Sequence, residues 1–261
     1  MPTVTLLAKA YDNSRAEQVS KKLKTMFEGL KINVKVCGVT SRGWIQTSVS
    51  GEDENVALNY LSDEIGLCPE NLENVGKFSL AKGSVLTPNE DKNALNVDIG
   101  VFSPNIVDAS IPLNRLQAQL ADGRRMALEK IAKLFGFCKN LPLTLKIIHV
   151  DSDTNKIEAE MSEKQQITFN NWADSLLDRL IVLGASSEEI MRAIQRTGFS
   201  RDVVKIEPLG ILEYAVECKL GTDAAGLIPK LGRNLRRASF SIFSPRKIRR
   251  FFREELKSST F

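Results

Sequence analysis

The stretch SIFSPRKIRRFFREE, residues 241–255, sets Arg246, Lys247, Arg249, Arg250 and Arg253 among three phenylalanines and a single proline. Arginine grips phosphate through a bidentate fork and stacks on bases, and a neighbouring phenylalanine offers a second stacking face. This composition therefore suits contact with a nucleic acid. Arg233, Arg236 and Arg237 extend the run upstream, and no carboxylate interrupts it before Glu254. A plain amphipathic helix is the competing reading: Ile248, Phe251, Phe252 and Leu256 recur at helical spacing and would bury one face while the arginines solvate the other. The two are compatible when the phenylalanines pack inward and the arginines are displayed. A second basic stretch, residues 113–140, carries Arg115, Arg124, Arg125, Lys130, Lys133 and Lys139 against Asp122 and Glu129. Its Leu116, Leu120, Met126, Leu128, Ile131, Leu134 and Phe135 would dock on a neighbouring unit. Formal net charge over the whole chain is only +4, so local clustering, not bulk charge, would have to attract a polyanion.

Other residues capable of chemistry are sparse. His149 is the single histidine, which excludes a histidine-rich metal site and makes any Ser-His-Asp or Cys-His arrangement depend on one ring; its place at a strand end suits an exposed or half-buried position. Cys37, Cys68, Cys138 and Cys218 lack both Cys-x-x-Cys spacing and flanking histidines, so they read as four buried thiols of a reducing cytoplasm, not a zinc site or a disulfide framework. Asp151, Asp153 and Glu158, with Asp98, could hold Mg²⁺ for phosphodiester hydrolysis, yet DSDTNK is also what a hairpin loop requires. In LGTDAAG the free N–H groups of a helix start could hold phosphate, but Asp223 would repel that anion and is itself a ready N-cap. Neither a nucleoside-triphosphatase loop nor a dinucleotide fingerprint occurs. No catalytic residue, metal ligand or cofactor site is assigned.

The elements that must position these groups fall into three units. Residues 1–72 read β-α-β-β-α, the order of a ferredoxin-like unit without an obvious last strand. Residues 164–261 read β-α-β-β-α-β with the basic tail appended; Ser186 and Glu189 form a capping box and Gly198 ends that helix. Between them, residues 73–163 hold five short strand candidates punctuated by Gly, Pro, Asn and Asp, which suggests a small barrel with the helical insertion at 113–140. The fold class is accordingly α+β: two ferredoxin-like units flanking a five-stranded OB barrel. The N-terminal segment lacks the basic region of a signal sequence, and no run approaches the length of a membrane span, which places the chain in the cytoplasm with no membrane partner.

The barrel region resembles the S-one-type OB fold, an RNA-binding barrel of ribosomal proteins and translation factors. The residues that carry the resemblance are Val75-Gly76 and Lys82-Gly83-Ser84-Val85, Val97-Asp98-Ile99-Gly100-Val101, Ile111-Pro112-Leu113, Leu145-Lys146-Ile147-Ile148, Val150-Asp151 and Ile157. It implies RNA contact through the barrel, with Lys77 and Phe78 where that family presents basic or aromatic side chains. This sequence departs from it in the long insertion and in a thinner aromatic set, with only Phe102 near the second and third strands. A further resemblance spans the full length: Arg201-Asp202-Val203-Val204, Glu207-Pro208-Leu209-Gly210, Cys218 to Asp223, and Ile228-Pro229-Lys230 are similar to an archaeal family known as domain of unknown function twenty-one-ten. Together these readings lead to a non-enzymatic RNA-binding protein of the archaeal translation or transcription machinery. Its contacts would be Arg236, Arg237, Arg246, Lys247, Arg249 and Arg250, then Lys77, Lys82, Arg124 and Arg125. An adaptor on the ribosome or RNA polymerase, and a metal-dependent nuclease, are the alternatives.

Overall fold

The computed structural model describes residues 2–88 and 91–258, with side chains as far as Phe252; the side chains of Arg253, Glu254 and Leu256 lie outside it. The first unit consists of β1 (Thr3–Lys9), α1 (Asn13–Met26), β2 (Ile32–Val39), β3 (Trp44–Gly51) and α2 (Glu54–Tyr60). Its sheet is antiparallel in the order β1-β3-β2. Asp12 caps α1 by accepting from the Arg15 N–H at 2.9 Å, and Val19 and Leu23 are fully buried against the sheet, as an apolar stripe at helical spacing requires. The chain leaving this unit runs beside β1: Leu7 N–H donates to the Gly66 carbonyl at 2.9 Å and Cys68 N–H to that of Thr5 at 2.8 Å.

A two-residue strand, β4 (Glu70–Asn71), leads into the barrel strands β5 (Leu80–Val85), β6 (Ala94–Ser103), β7 (Val107–Pro112), β8 (Pro142–Asp151) and β9 (Lys156–Met161). They close in the ring β5-β6-β7-β9-β8, every pair antiparallel except β7 with β9. The first barrel strand starts at Leu80 and not at Val75, because Gly76–Ser79 make a tight turn in which Phe78 adopts φ 64°. The insertion is two short helices, α3 (Leu113–Leu120) and α4 (Leu128–Phe135). Asp122 and Gly123 break it by taking left-handed conformations, at φ 50° and 77°, which only glycine and short polar residues visit cheaply. A second glycine is required at Gly136, the left-handed C-cap of α4, where an added Cβ would stand 2.9 Å from the Ile242 carbonyl oxygen.

The last part comprises α5 (Glu163–Asp174), β10 (Arg179–Leu183), α6 (Ser187–Thr197), β11 (Val203–Pro208), β12 (Glu213–Cys218), α7 (Ala224–Asn234), β13 (Ser239–Phe243) and α8 (Pro245–Ser258). Its antiparallel sheet has the order β11-β12-β10-β13. The capping box of Ser186 and Glu189 forms, Gly198 is left-handed, and Asp223 caps α7. RLIVL in β10 lacks alternation because both of its faces are covered: Leu180 and Val182 pack under α6 and α7, while Ile181 and Leu183 join the barrel's own core cluster. Barrel and last sheet thus share one core.

Polar contacts fasten the first unit to both others. Lys9 Nζ lies 2.7 Å from Asp98 Oδ2 on β6 and 3.5 Å above the Trp44 ring, and Trp44 Nε1–H donates to Asp98 Oδ1 at 3.0 Å. Burial lowers the Lys9 pKa against the opposing pull of Asp98. Arg42 pairs with Asp108 on β7 at 3.1 Å. On the other side, Tyr11 O–H donates to Glu213 Oε1 at 2.8 Å, and Arg15 pairs with Glu189 at 2.5 Å. Two of the four cysteines are buried, Cys138 is half-buried, and Cys37, on the edge strand β2, is exposed; the expectation of four buried thiols fails there because Cys37 falls on the outward-facing alternate positions of β2 with Asn33, Lys35 and Val39, while Val34 faces the core.

Removing one member of a buried ion pair leaves the other desolvated and unpaired, so Asp98→Ala should lower unfolding free energy by roughly 3–5 kcal/mol. Lys31→Ala, at a pair exposed on both sides, should stay within about 0.5 kcal/mol of wild type in the same urea titration. Burial pushes the Glu213 carboxyl up to about 6. Between pH ~4.5 and ~6 the folded state therefore binds more protons than the unfolded one, and stability falls as pH rises through that window by roughly 2 kcal/mol. Glu213→Gln should flatten this segment of the stability–pH profile.

Candidate nucleic-acid interface

Helix α8 starts with Pro245 at its first position, where the missing N–H costs nothing. Ser244 precedes it with its hydroxyl committed to Asp178 Oδ1 at 2.9 Å. Ile248 is buried in the barrel's core cluster, and Phe251 and Phe252 pack against that cluster from the edge. Both rings carry a cation from the insertion: Lys130 Nζ lies 3.8 Å from the Phe251 centroid, and the Arg124 guanidinium 5.0 Å from that of Phe252. Arg124 Nη1–H also donates to the Phe252 carbonyl at 3.2 Å. The phenylalanines therefore face inward under a cationic cover.

This docking sets Arg124 against Phe252 of α8, the helix that also carries Arg246, Lys247, Arg249 and Arg250. Arg125, Arg246 and Lys247 are exposed and make no ion pair among the described residues. Arg249 is loosely held by Asp174, at 3.7 Å, and that carboxylate is itself 82% exposed. The first turn of α8 contains no acidic residue. Arg246 and Lys247 thus stand at the positive end of a helix dipole, where a cation is unfavourable by about 0.3–1 kcal/mol.

The other four expected contacts lie elsewhere. Arg236 and Arg237 sit in the turn before β13, whose five residues, at roughly 3.3 Å each, hold them roughly 16 Å from α8. Arg237 is paired with Asp12 at 3.5 Å and donates to Ser14 Oγ at 2.6 Å. Lys77 lies in the turn before β5, 5.0 Å from the ring of Phe78, which is 63% exposed. Lys82 borders a cavity of about 690 Å³ between the three parts of the chain, shared with Lys9, Lys22, Glu207 and Glu213. The ten expected contacts therefore lie in four places: α8 with the α3–α4 turn, the turn before β13, the turn before β5, and the cavity beside Lys82. Nor is there an open groove on β6 and β7, because Lys9, Trp44 and Arg42 cover Asp98 and Asp108 there.

The acidic residues disperse as well. Asp98 is 1% exposed and satisfied by Lys9, Trp44 and the Gly100 N–H, while Glu158 pairs with Arg115 at 3.0 Å. Asp151 organises its own hairpin turn by accepting from Asp153 N–H, Thr154 N–H and Thr154 Oγ1–H. Those hydrogen bonds hold its pKa below the usual carboxylate value. No metal-ligating cluster occurs among the described residues, and His149 is exposed at a bulge in β8. Sequence reasoning missed Arg15, Arg192 and Arg196, which gather beside Arg236 and Arg237. The four-residue spacing of Arg192 and Arg196 marks one helix face, but nothing local announces what it meets.

These observations define an α+β protein with three sheets, one of them a closed five-stranded barrel. Family models of the DUF2110 N-terminal, central and C-terminal domains match residues 3–71, 82–173 and 177–243. The chain belongs to the DUF2110 family. No curated protein matches it. Among solved structures it is similar to a protein from vaccinia virus (Wisconsin strain), at 18% identity and TM-score 0.23, over 34% of this chain and 89% of that one. The a/eIF2alpha-aDim2p-rRNA complex from Pyrococcus horikoshii OT3 matches at 10% identity and TM-score 0.25, over 48% and 64% respectively. A Thermus thermophilus protein, ttk003000868, matches at 15% and 0.19, over 98% and 42%. Among the described residues no helix is long and apolar enough to cross a membrane.

Two cation–π contacts at about 0.5–1 kcal/mol each, together with the buried ring surface, set the docking of α8. Replacing both Phe251 and Phe252 by alanine should speed amide exchange in residues 248–252 by about tenfold or more, with β8 unchanged.

Proposed function

We propose that this protein binds RNA without acting on it chemically, through the basic surface of α8 and the α3–α4 turn, as a cytoplasmic component of the translation or transcription machinery. We read the barrel as an OB fold, since its ring runs first-second-third-fifth-fourth with a parallel third–fifth pair. The last sheet runs in the order fourth-first-third-second when its strands are counted from β10 with β11 second, β12 third and β13 last, and with the three-stranded first sheet it supports ferredoxin-like units at both ends; α5, ahead of β10, is additional to the β-α-β-β-α-β order expected there. The observation that carries the reading is the placement of Arg246 and Lys247 at the positive end of α8 with no acidic residue in that turn. Stability alone disfavours cations there, whereas a bound phosphate would be held by side chains, free backbone N–H groups and dipole together. Arg124, Arg125, Arg249 and Arg250 would extend the surface, with Lys77 and Lys82 as more distant contacts and Phe78 as an exposed ring for one base.

The OB face formed by the second and third strands is the usual ligand surface of that fold. Here the first unit covers it, so RNA would approach the insertion and tail instead. Each phosphate interaction removed should lower the slope of log K against log salt by about 0.7–0.9. The variant Arg124→Gln, Arg125→Gln, Arg246→Gln, Lys247→Gln should accordingly reduce the slope by about three for labelled single-stranded and hairpin RNA alike. An unchanged slope with folding intact would remove the surface from the RNA-binding reading.

A further inference from the structure

A cleft of about 540 Å³ opens where α1 of the first unit meets α6 and α7 of the last, and Arg15, Arg192, Arg196, Arg233, Arg236 and Arg237 border it. One carboxylate, Glu189, stands against these six guanidinium groups. Glu189 is already committed: it accepts from Arg15 at 2.5 Å, from Gln18 at 3.1 Å and from the Ser186 N–H at 3.0 Å. Arg237 reaches Asp12 and Ser14 at the rim, and among the described residues Arg192 is tied only to the Glu188 carbonyl of its own helix. Arg196, Arg233 and Arg236 have no hydrogen bond or ion pair among the described residues. Arg15 is the informative member. Its side chain is 5% exposed, and its Nε has no acceptor although it is buried.

Two of these cations have an ordinary reason for their position, since Arg196 and Arg233 fall in the last turns of α6 and α7, where helix dipoles favour positive charge. That reason does not extend to Arg15, Arg192, Arg236 or Arg237. Crowding them together raises the energy of the folded state unless an anion occupies the cleft. Among the described residues no aromatic side chain lines it, so the site lacks the ring face that a base-reading pocket would present. What it offers is planar guanidinium forks from three helices and the turn after α7, the geometry suited to phosphate oxygens.

We propose that the cleft binds a compact polyphosphate, two or more phosphates on adjoining positions. Inorganic pyrophosphate, the phosphate tail of a nucleoside triphosphate and the 5′-triphosphate end of an RNA share this chemistry. Six forks exceed what one phosphate can engage, and the site is separated by β13 from the α8 surface, so the inference is independent of the RNA-binding reading. Because the cleft straddles two units, its occupant stabilises the folded chain by mass action.

The test uses the full chain in thermal-shift and calorimetric titrations with pyrophosphate, GTP, ATP, and 5′-triphosphorylated against 5′-hydroxyl RNA of one sequence, with sodium chloride matched in ionic strength. The exposed pair Arg196→Gln, Arg233→Gln leaves the buried Arg15–Glu189 contact intact and should fold normally. Saturable pyrophosphate or nucleotide binding that raises the melting temperature and weakens about tenfold or more in this variant supports the site. Binding restricted to the 5′-triphosphorylated RNA and abolished in the same variant supports it with an RNA end as the source. Equal binding by the variant, or no effect beyond that of sodium chloride, overturns it. The α8 salt slope should be the same in wild type and variant, which keeps the two readings separable.

Discussion

Five aromatic rings hold the barrel and the last sheet to each other. Phe135 closes α4, Phe137 follows it, Phe169 and Trp172 come from α5, and Phe243 ends β13; their neighbouring centroids lie 5.2–6.4 Å apart. All five are at most 5% exposed. Such pairs contribute about 0.5–1.5 kcal/mol beyond the area they bury, but their geometric consequence matters more. Phe243 stands two residues before Pro245, so anchoring the end of β13 fixes where α8 begins and in which direction it leaves. The basic tail is consequently a displayed face of a docked helix.

Charge is handled in two ways, and the contrast distinguishes architecture from surface. Buried charges are paired across element boundaries: Lys9 with Asp98 between the first unit and the barrel, and Arg179 with Glu217 across β10 and β12, at 2.6 Å. Arg179 is further supported by the Ser175 hydroxyl and the Leu177 carbonyl, and burial still lowers its pKa. Such pairs contribute little net free energy but heavily penalise any arrangement that separates them, so the first fixes how the first unit meets the barrel and the second reinforces the pairing of β10 with β12. Among the described residues, Arg246 and Lys247 on α8 and Arg196, Arg233 and Arg236 in the α1–α6–α7 cleft make no ion pair.

What could be read in advance depended on the range of the interaction. The capping box at Ser186 and Glu189, the Asp223 cap and the turn of Asp151 are contacts within three residues, and each is written into its own segment. The strands of the barrel were legible from alternation and turn residues for the same reason. Where the outcome turned on distant neighbours, local pattern misled. Phe78 leaves the strand direction because of a turn hydrogen-bonded to Ile147, and Asp98, an apparent metal ligand, is consumed by Lys9 and Trp44, which precede it by more than fifty residues. Arg236 and Arg237 read as continuous with Arg246 in the sequence, but a strand inserted between them sends the two groups to different ends of the sheet.

The covering of the Phe251 and Phe252 rings has a consequence for selectivity. Phosphate contacts position a nucleic acid, while contacts to bases specify its sequence. With Lys130 and Arg124 already on those rings, and with the outer surface of β6 and β7 occupied by Lys9, Trp44 and Arg42, the rings of α8 and the ligand face of the barrel are both covered. Phe78, a single ring at the far turn of the barrel, is 63% exposed. On the RNA-binding reading, discrimination between targets would then come from backbone shape and from where charge is densest, not from a base code.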